Sequence, residues 1–453
     1  MSSGIQRSRR SLLTFVLFAC CSPADENTAP PEAPCTHTVD DGVINVPSEC
    51  PSLSDAVARA AEAGSPITIA LAPGTYPVNS LSIAKSTSLT GAPSSEVPVV
   101  QCTGTFESDD AVISQVDIEA ASFVFNWSSM VNVTITTDNA SLNGGTLTDS
   151  SVMGPVTGSC DTITRCSLPQ GDLTIFNNLT VSDSTLNSIS LTGDGQVSIT
   201  GSTFTEGITT DFDQPVTSDI TVTDSSLGGI RLWGDGNLTI LSTDVLGTGI
   251  VVDVDGPLGL QFLAENSYLA AAGENLLNLE VGGMHSQEDA SVFELYNNVL
   301  VSGTVEFSTI LGGCDEWDNI VDLRMWNNIF VKVELKIIFV FYHDTGVEDS
   351  QYNLFSNTTC SSCYYQRYEC VDTGNEVMVS EEDKIAFSPI WENGAIEGDP
   401  LFVSYHPASP DTADLHLQTG SPAINAGDPS STWNDTDGSR NDMGIYGGPF
   451  AHP

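Results

Sequence analysis

Leu147-Thr-Asp-Ser-Ser-Val152, Ile163-Thr-Arg-Cys-Ser-Leu168, Val181-Ser-Asp-Ser-Thr-Leu186 and Ile199-Thr-Gly-Ser-Thr-Phe204 repeat one phrase: apolar, polar, small polar residues, apolar. It continues as Val222-Thr-Asp-Ser-Ser-Leu227, Ile240-Leu-Ser-Thr-Asp-Val245, Leu263-Ala-Glu-Asn-Ser-Tyr268 and Leu295-Tyr-Asn-Asn-Val-Leu300. Met325-Trp-Asn-Asn-Ile-Phe330 and Ser350-Gln-Tyr-Asn-Leu-Phe355 complete the series, with steps of 16 to 32 residues. Residues 179–204 and 220–245 match at an offset of 41, sharing Asp183/Asp224, Leu186/Leu227 and Leu191/Leu232. That offset is two units of about 20 residues, a size that signals a solenoid.

Each unit holds short alternating runs of Val, Ile, Leu and Thr punctuated by Gly, Asp, Asn and Ser, which is strand and turn chemistry. Such units bury an apolar face only by stacking, so the predicted fold is all-β, a parallel β-helix with one coil per unit. An antiparallel sandwich or propeller is the alternative, and the irregular steps argue against blades. The pairs Asn297-Asn298 and Asn327-Asn328 then occupy the same corner of their coils, where asparagine accepts left-handed backbone.

The chain has 453 residues and a formal net charge of −46. Met1–Arg10 carries Arg7, Arg9 and Arg10 with no acid, and Leu12–Ala19 is a short apolar run followed by cysteines. This predicts an export signal over 1–20, too short to span a membrane. Leu17-Phe-Ala-Cys20 resembles a lipobox, with Cys20 as the lipidated residue; Cys21 and plain secretion are the alternatives, and Ser8–Leu13 weakly resembles a twin-arginine signal. Residues 21–34, rich in Pro, Ala and acids, read as a flexible tether. Export permits disulfides among the eleven cysteines, with Cys35/Cys50 and Cys160/Cys166 able to close local loops. Cys314, Cys360, Cys363 and Cys370 cluster late, and Cys360-x-x-Cys363 hints at zinc or redox chemistry with no second motif to support it.

Loss of the leader's three arginines makes the mature chain still more acidic. Such a surface excludes nucleic acid and repels bare uronate polymers unless calcium bridges them. A saline habitat accounts for the same charge.

The two ends carry a resemblance. Pro51–Gly64 is an amphipathic helix pattern, capped by Ser52 or Ser54, followed by Ile67-Thr-Ile-Ala-Leu-Ala-Pro-Gly-Thr-Tyr76, Leu81-Ser-Ile83 and Ser88-Leu-Thr-Gly91. This order resembles the opening of pectin-lyase-like right-handed β-helix proteins, where a helix covers the first coil. Asp399-Pro-Leu-Phe-Val403, Leu415–Asp428 and Asp435–Pro449 resemble the C-terminal segment of bacterial right-handed β-helix repeat proteins of the choice-of-anchor Q type. The resemblance implies a right-handed β-helix over 35–400, capped at 51–64, with residues 401–453 closing it. The resemblance implies a surface or secreted protein of a kind assumed to meet polysaccharides, and it speaks to architecture more firmly than to activity.

Catalytic signatures of the superfamily are sparse. No lyase-like motif surrounds Arg165, Arg231 or Arg324, and the polygalacturonase-like set is absent. Gly303-Thr-Val-Glu-Phe-Ser-Thr-Ile-Leu-Gly312 resembles the pectin methylesterase phrase Gly-Thr-Val-Asp-Phe-Ile-Phe-Gly, with Glu306 in the place of its aspartate. Asp289 lies 17 residues earlier, near that family's acid, while its downstream Arg-Pro-Trp context is missing. Asp289, Glu306 and Arg324 are therefore the catalytic candidates, a carboxylate pair and an arginine suited to ester chemistry. For metal, the loop Asp435-x-Asp437-Gly-Ser439-x-x-Asp442 places oxygen donors at alternate positions around a glycine, as a calcium loop does. Trp233, Trp317 and Trp326 are candidates for stacking on sugar rings. The expectation is a monomeric cell-surface lipoprotein of the outer membrane, or a secreted protein, touching membrane only through its lipid. It would bind polysaccharide or another surface ligand without catalysis. The alternative is a polysaccharide lyase or carbohydrate esterase with a diverged site.

Overall fold

The computed structural model describes residues 35–36, 42–63, 66–210, 216–254, 259–271, 275–282, 291–309, 321–341, 347–372, 377–407 and 409–451. The signal, Cys20, Cys21, the tether, Gly64, Asp289, Cys314 and Trp317 lie outside them. Residues Cys35–Pro453 form one compact unit.

That unit is a parallel β-helix, and its coils lay down three ladders. The first ladder starts where Val43–Val46 pairs Ile67–Leu71, passes through Thr146–Thr148 and Thr162–Thr164, and reaches Val347–Gln351. The second runs from Thr75–Val78 against Val99–Cys102 to Leu354–Phe355 against Ile396–Glu397. The third runs from Leu81–Ile83 against Phe106–Ser108 to the strand Thr359–Asp372, which folds back antiparallel on Val377–Ala386. In one coil the chain passes from Ser129–Val131 to Thr134–Thr137 to Ala140–Asn143, each on its own ladder.

The repeated phrase is the corner between the first and second ladders. Its first apolar residue points inward on the first ladder (Leu147, Ile163 and Ile199 are buried) and its last points inward on the second (Val152, Leu168, Phe204). Between them one residue takes left-handed backbone: Asp149, Arg165, Asp183, Asp224, Asn297 and Asn327 all have φ near +50 to +60°. The next residue turns its side chain inward and serves the neighbouring coil. The backbone N–H of Cys166 donates to Ser184 Oγ (3.0 Å), Ser184 to Ser202 (3.1 Å), and Ser202 to Ser225 (3.1 Å). From Ser267 the acceptor becomes an amide: Ser267 to Asn298, Asn298 to Asn328 and Asn328 to Asn353, each at 2.9 Å. The corner N–H groups, turned along the axis and away from water, are satisfied by this internal polar column.

Coils begin at Val43, inside the expected 35–400, but the phrase is not visible before Leu147, because Val116 and Val133 fill the inward slot at earlier corners. One reading shifts. The unit 263–268 is one residue out: Asn266 is the left-handed residue, and Ala264 and Leu269 are the inward apolar pair.

A short helix, α1 (Leu53–Ala63), packs on the first strands through Leu53, Ala56 and Ala60. Ser52 Oγ accepts the Asp55 N–H (3.1 Å) and caps it. Cys35 and Cys50 are disulfide-bonded, as are Cys360 and Cys363. Cys160 and Cys166 are free, contrary to the local pairing expected of them. The strand Thr162–Thr164 separates them onto different corners, where Cys160 Sγ bonds Gly145 O and Cys166 Sγ bonds Thr164 O, each at 3.2 Å.

The C-terminal segment lies along the flank of the helix. Phe402, Leu415, Ala423, Met443 and Ile445 cover outward residues of the second ladder, Tyr268, Val299, Ile329 and Leu354. The left-handed asparagines anchor it: Asn266 Nδ2 donates to Ile445 O (3.0 Å) and Asn327 Oδ1 accepts the Asp428 N–H (2.7 Å). Asn297 Oδ1 likewise accepts from Asn441 Nδ2 (3.1 Å).

Candidate functional site

At the bend from the second to the third ladder the sequence spends glycine. A Cβ on Gly247 would collide with the carbonyl of Gly228, and Gly249 sits at φ +76°. Without side chains to fill the bend, an open groove of about 990 Å³ crosses several coils, bordered by Glu206, Thr209, Arg231, Thr248, Val251 and Asn275.

Beside it, the outward residues of the third ladder form two ranks. Arg231, Val251, Asn278, Glu306 and Lys336 stack rung on rung in one. Trp233, Asp253, Glu280 and Ser308 stack in the other. Lys336 Nζ lies 3.7 Å from Glu306. Burial, and then the neighbouring Asp253 and Glu306, push the Glu280 carboxyl above the usual range. This surface offers an aromatic ring, a carboxyl raised by burial, acidic side chains on the neighbouring rungs and a cation near each end.

The two described catalytic candidates, Glu306 and Arg324, do not come together. Glu306 is on the third ladder, whereas Arg324 is on the first, held by Glu294 (2.7 Å) and by Asp322. Asp289 falls outside the described residues. Arg324 belongs to a separate cluster in which Tyr296 and Trp326 pack against Trp433 of the C-terminal segment (5.2 and 6.0 Å between rings). Trp326 thereby docks that segment, and Trp233 is the tryptophan next to the groove.

In the Asp435 loop the donors bond the protein itself. Asp435 Oδ1 accepts the Gly448 N–H (2.7 Å), Asp437 Oδ1 accepts the Ser439 N–H (2.8 Å), and Asp442 Oδ1 accepts the Asn425 N–H (2.6 Å). Among the described residues no group of three or more His, Cys, Asp or Glu is arranged to hold a metal. Arg440 closes the loop by donating to Gly427 O (2.7 Å).

Sequence reasoning missed Asp253, Asn278, Glu280 and Lys336. A signal existed for one of them: Glu306 and Lys336 each follow their corner asparagine, Asn298 and Asn328, by eight residues, which stacks them. No protein-family model, curated protein or solved structure matches this chain.

Proposed function

We propose that this chain is an exported, surface-held β-helix protein that binds a polysaccharide strand in the glycine-floored groove without cleaving it. The observation that carries the reading is the groove's course across successive coils, which suits a linear polymer, with Trp233 beside it to stack on a sugar ring. Lipidation at Cys20 and the tether to residue 34 belong to the same proposal, and so does kinship with the pectin-lyase-like superfamily, supported by the coil architecture alone. Calcium enters, in this reading, as a bridge between an acidic protein and an acidic glycan.

The test incubates the protein with plant, algal and bacterial polysaccharides, with calcium or chelator, and reads retention and product masses together. Retention with intact polymer supports the reading; neither retention nor products removes it.

One observation favours a second reading, hydrolysis. Glu280, whose carboxyl is raised by burial, stands one rung from Asp253, and two neighbouring carboxyl groups are the equipment of glycoside cleavage. Shortened products that disappear in Glu280→Gln would establish it. An esterase built on Glu306 and Arg324 has no such support, since the two occupy different ladders.

A further inference from the structure

Between Ser88 and Leu241 the outer face of the first ladder differs from the later coils, where Glu265, Glu294 and Arg324 continue the same ladder. Two outward ranks, one from Ser88 to Thr239 and one from Thr90 to Leu241, contain no Asp, Glu, Lys or Arg. The other ladders place charge outward over the same coils, as at Asp117, Asp172 and Glu119. With 59 acidic residues in the chain, the two ranks stand out as uncharged, bordered by Asp219 on the same ladder and by the corner residues Asp149, Arg165, Asp183 and Asp224.

From Thr146 to Thr221 in one rank and Thr148 to Thr223 in the other, every position is Thr or Ser. The pairing holds without a register shift, so the hydroxyls recur at the strand spacing of about 4.8 Å along the axis and about 6.7 Å across it. Threonine's branched Cβ restricts χ1, which limits how far its hydroxyl strays from rung to rung. Hydroxyls also bond between rungs, Thr146 to Ser129 at 3.0 Å and Ser182 to Thr164 at 3.2 Å.

An uncharged, doubly periodic array of hydroxyls, with methyls at the threonines, complements a neutral periodic solid. The oxygens on a prism face of hexagonal ice repeat at about these two distances. We propose that the two ranks between Ser88 and Leu241 on the first ladder bind the surface of ice, holding a layer of water in the lattice arrangement. Charged side chains would break that layer by imposing their own hydration, which gives a physical reason for their exclusion. The function is separate from the groove, which lies on another side of the coil.

The test grows ice slowly from a solution of the full chain and measures the fraction of protein carried into the solid, with growth-habit and recrystallisation assays alongside. Thr164→Tyr and Thr200→Tyr put a bulky ring in the plane of the ranks, and Ser167→Tyr on the second ladder is the matched control. Unchanged melting temperatures establish that each variant folds. The expected result is severalfold enrichment of the native protein and of Ser167→Tyr in ice, with both threonine variants excluded. Exclusion of the native protein overturns the proposal, as does equal incorporation of the threonine variants. Retention of the native protein on microcrystalline cellulose with no incorporation into ice would also overturn it, assigning the face to a crystalline glycan instead.

Discussion

The backbone N–H of Asn298 donates to Asn328 Oδ1 on the next coil at 2.9 Å, and Asn328 Nδ2 reaches back to Leu295 O at 2.8 Å. One fully buried side chain thus serves two coils and passes the same pattern on to Asn353. Replacing Asn328 by leucine leaves these buried groups unpaired at about 1–3 kcal/mol each. A loss of about 3 kcal/mol is expected in urea unfolding. Ser184→Ala removes one acceptor and should lose about half as much.

Reducing the Cys35–Cys50 disulfide opens a link across a sequence separation of 15, which in the chain-entropy account is worth about 3 kcal/mol. Cys35→Ser/Cys50→Ser should lower stability by that order. Cys160 behaves differently: burial pushes its thiol up to about 12, so it should resist alkylation at pH 8 until the protein unfolds. Peptide mass mapping after brief iodoacetamide treatment checks this.

The repeated phrase was legible because each of its positions has one job: inward apolar, left-handed corner, buried acceptor, inward apolar. It failed where an apolar residue fills the acceptor's slot, as Val133 does, since a valine there erases the polar mark. It slipped by one at 263–268 because outward Tyr268 is apolar, and it is apolar because the C-terminal segment covers it. Long-range packing of that kind leaves no local trace. The site was less legible for a related reason. Glu306 was reached through a resemblance, yet its partner Lys336 and neighbour Asn278 depend on register between coils of unequal length. Arg324 and Glu306 were both candidates, yet they fall on different ladders, and in a β-helix nearness in sequence does not decide which ladder a residue joins.

Glu280 sets a pH dependence. Its folded-state carboxyl is raised by burial, Asp253 and Glu306, so the folded protein takes up this proton before the unfolded chain does. Its contribution opposes folding at neutral pH and is relieved as pH falls through the raised value. Melting temperature should therefore rise on acidification from pH 7 toward about pH 5, and the rise should shrink in Glu280→Gln. Asp149, Asp414 and Asp437 are lowered and act in the opposite sense only at more acidic pH.

Asp435 should act as a structural residue. Its carboxylate receives the N–H groups of Gly448 and Asp442, which ties the end of the chain to its own loop. Asp435→Ala is expected to loosen the C-terminal segment from the second ladder with or without chelator, exposing the apolar residues it covers. Dye binding to that surface measures it. The same titration in calcium checks the alternative, in which metal raises the melting temperature of the native protein but not of the variant.

Arg324→Ala should leave glycan retention unchanged, because its ion pairs with Glu294 and Asp322 lie on the first ladder. These pairs are partly exposed, so the stability lost should be about 1 kcal/mol or less.

The most direct measurement of the central claim is affinity electrophoresis of the native protein and of Thr209→Trp through gels carrying a retaining polysaccharide. Thr209 is exposed at the edge of the groove, so tryptophan there fills the space while leaving the core intact. The account predicts retardation of the native protein and at least a tenfold weaker interaction for the variant at an unchanged melting temperature. Equal retardation of the two would place glycan binding elsewhere on the molecule and contradict the assignment of the groove.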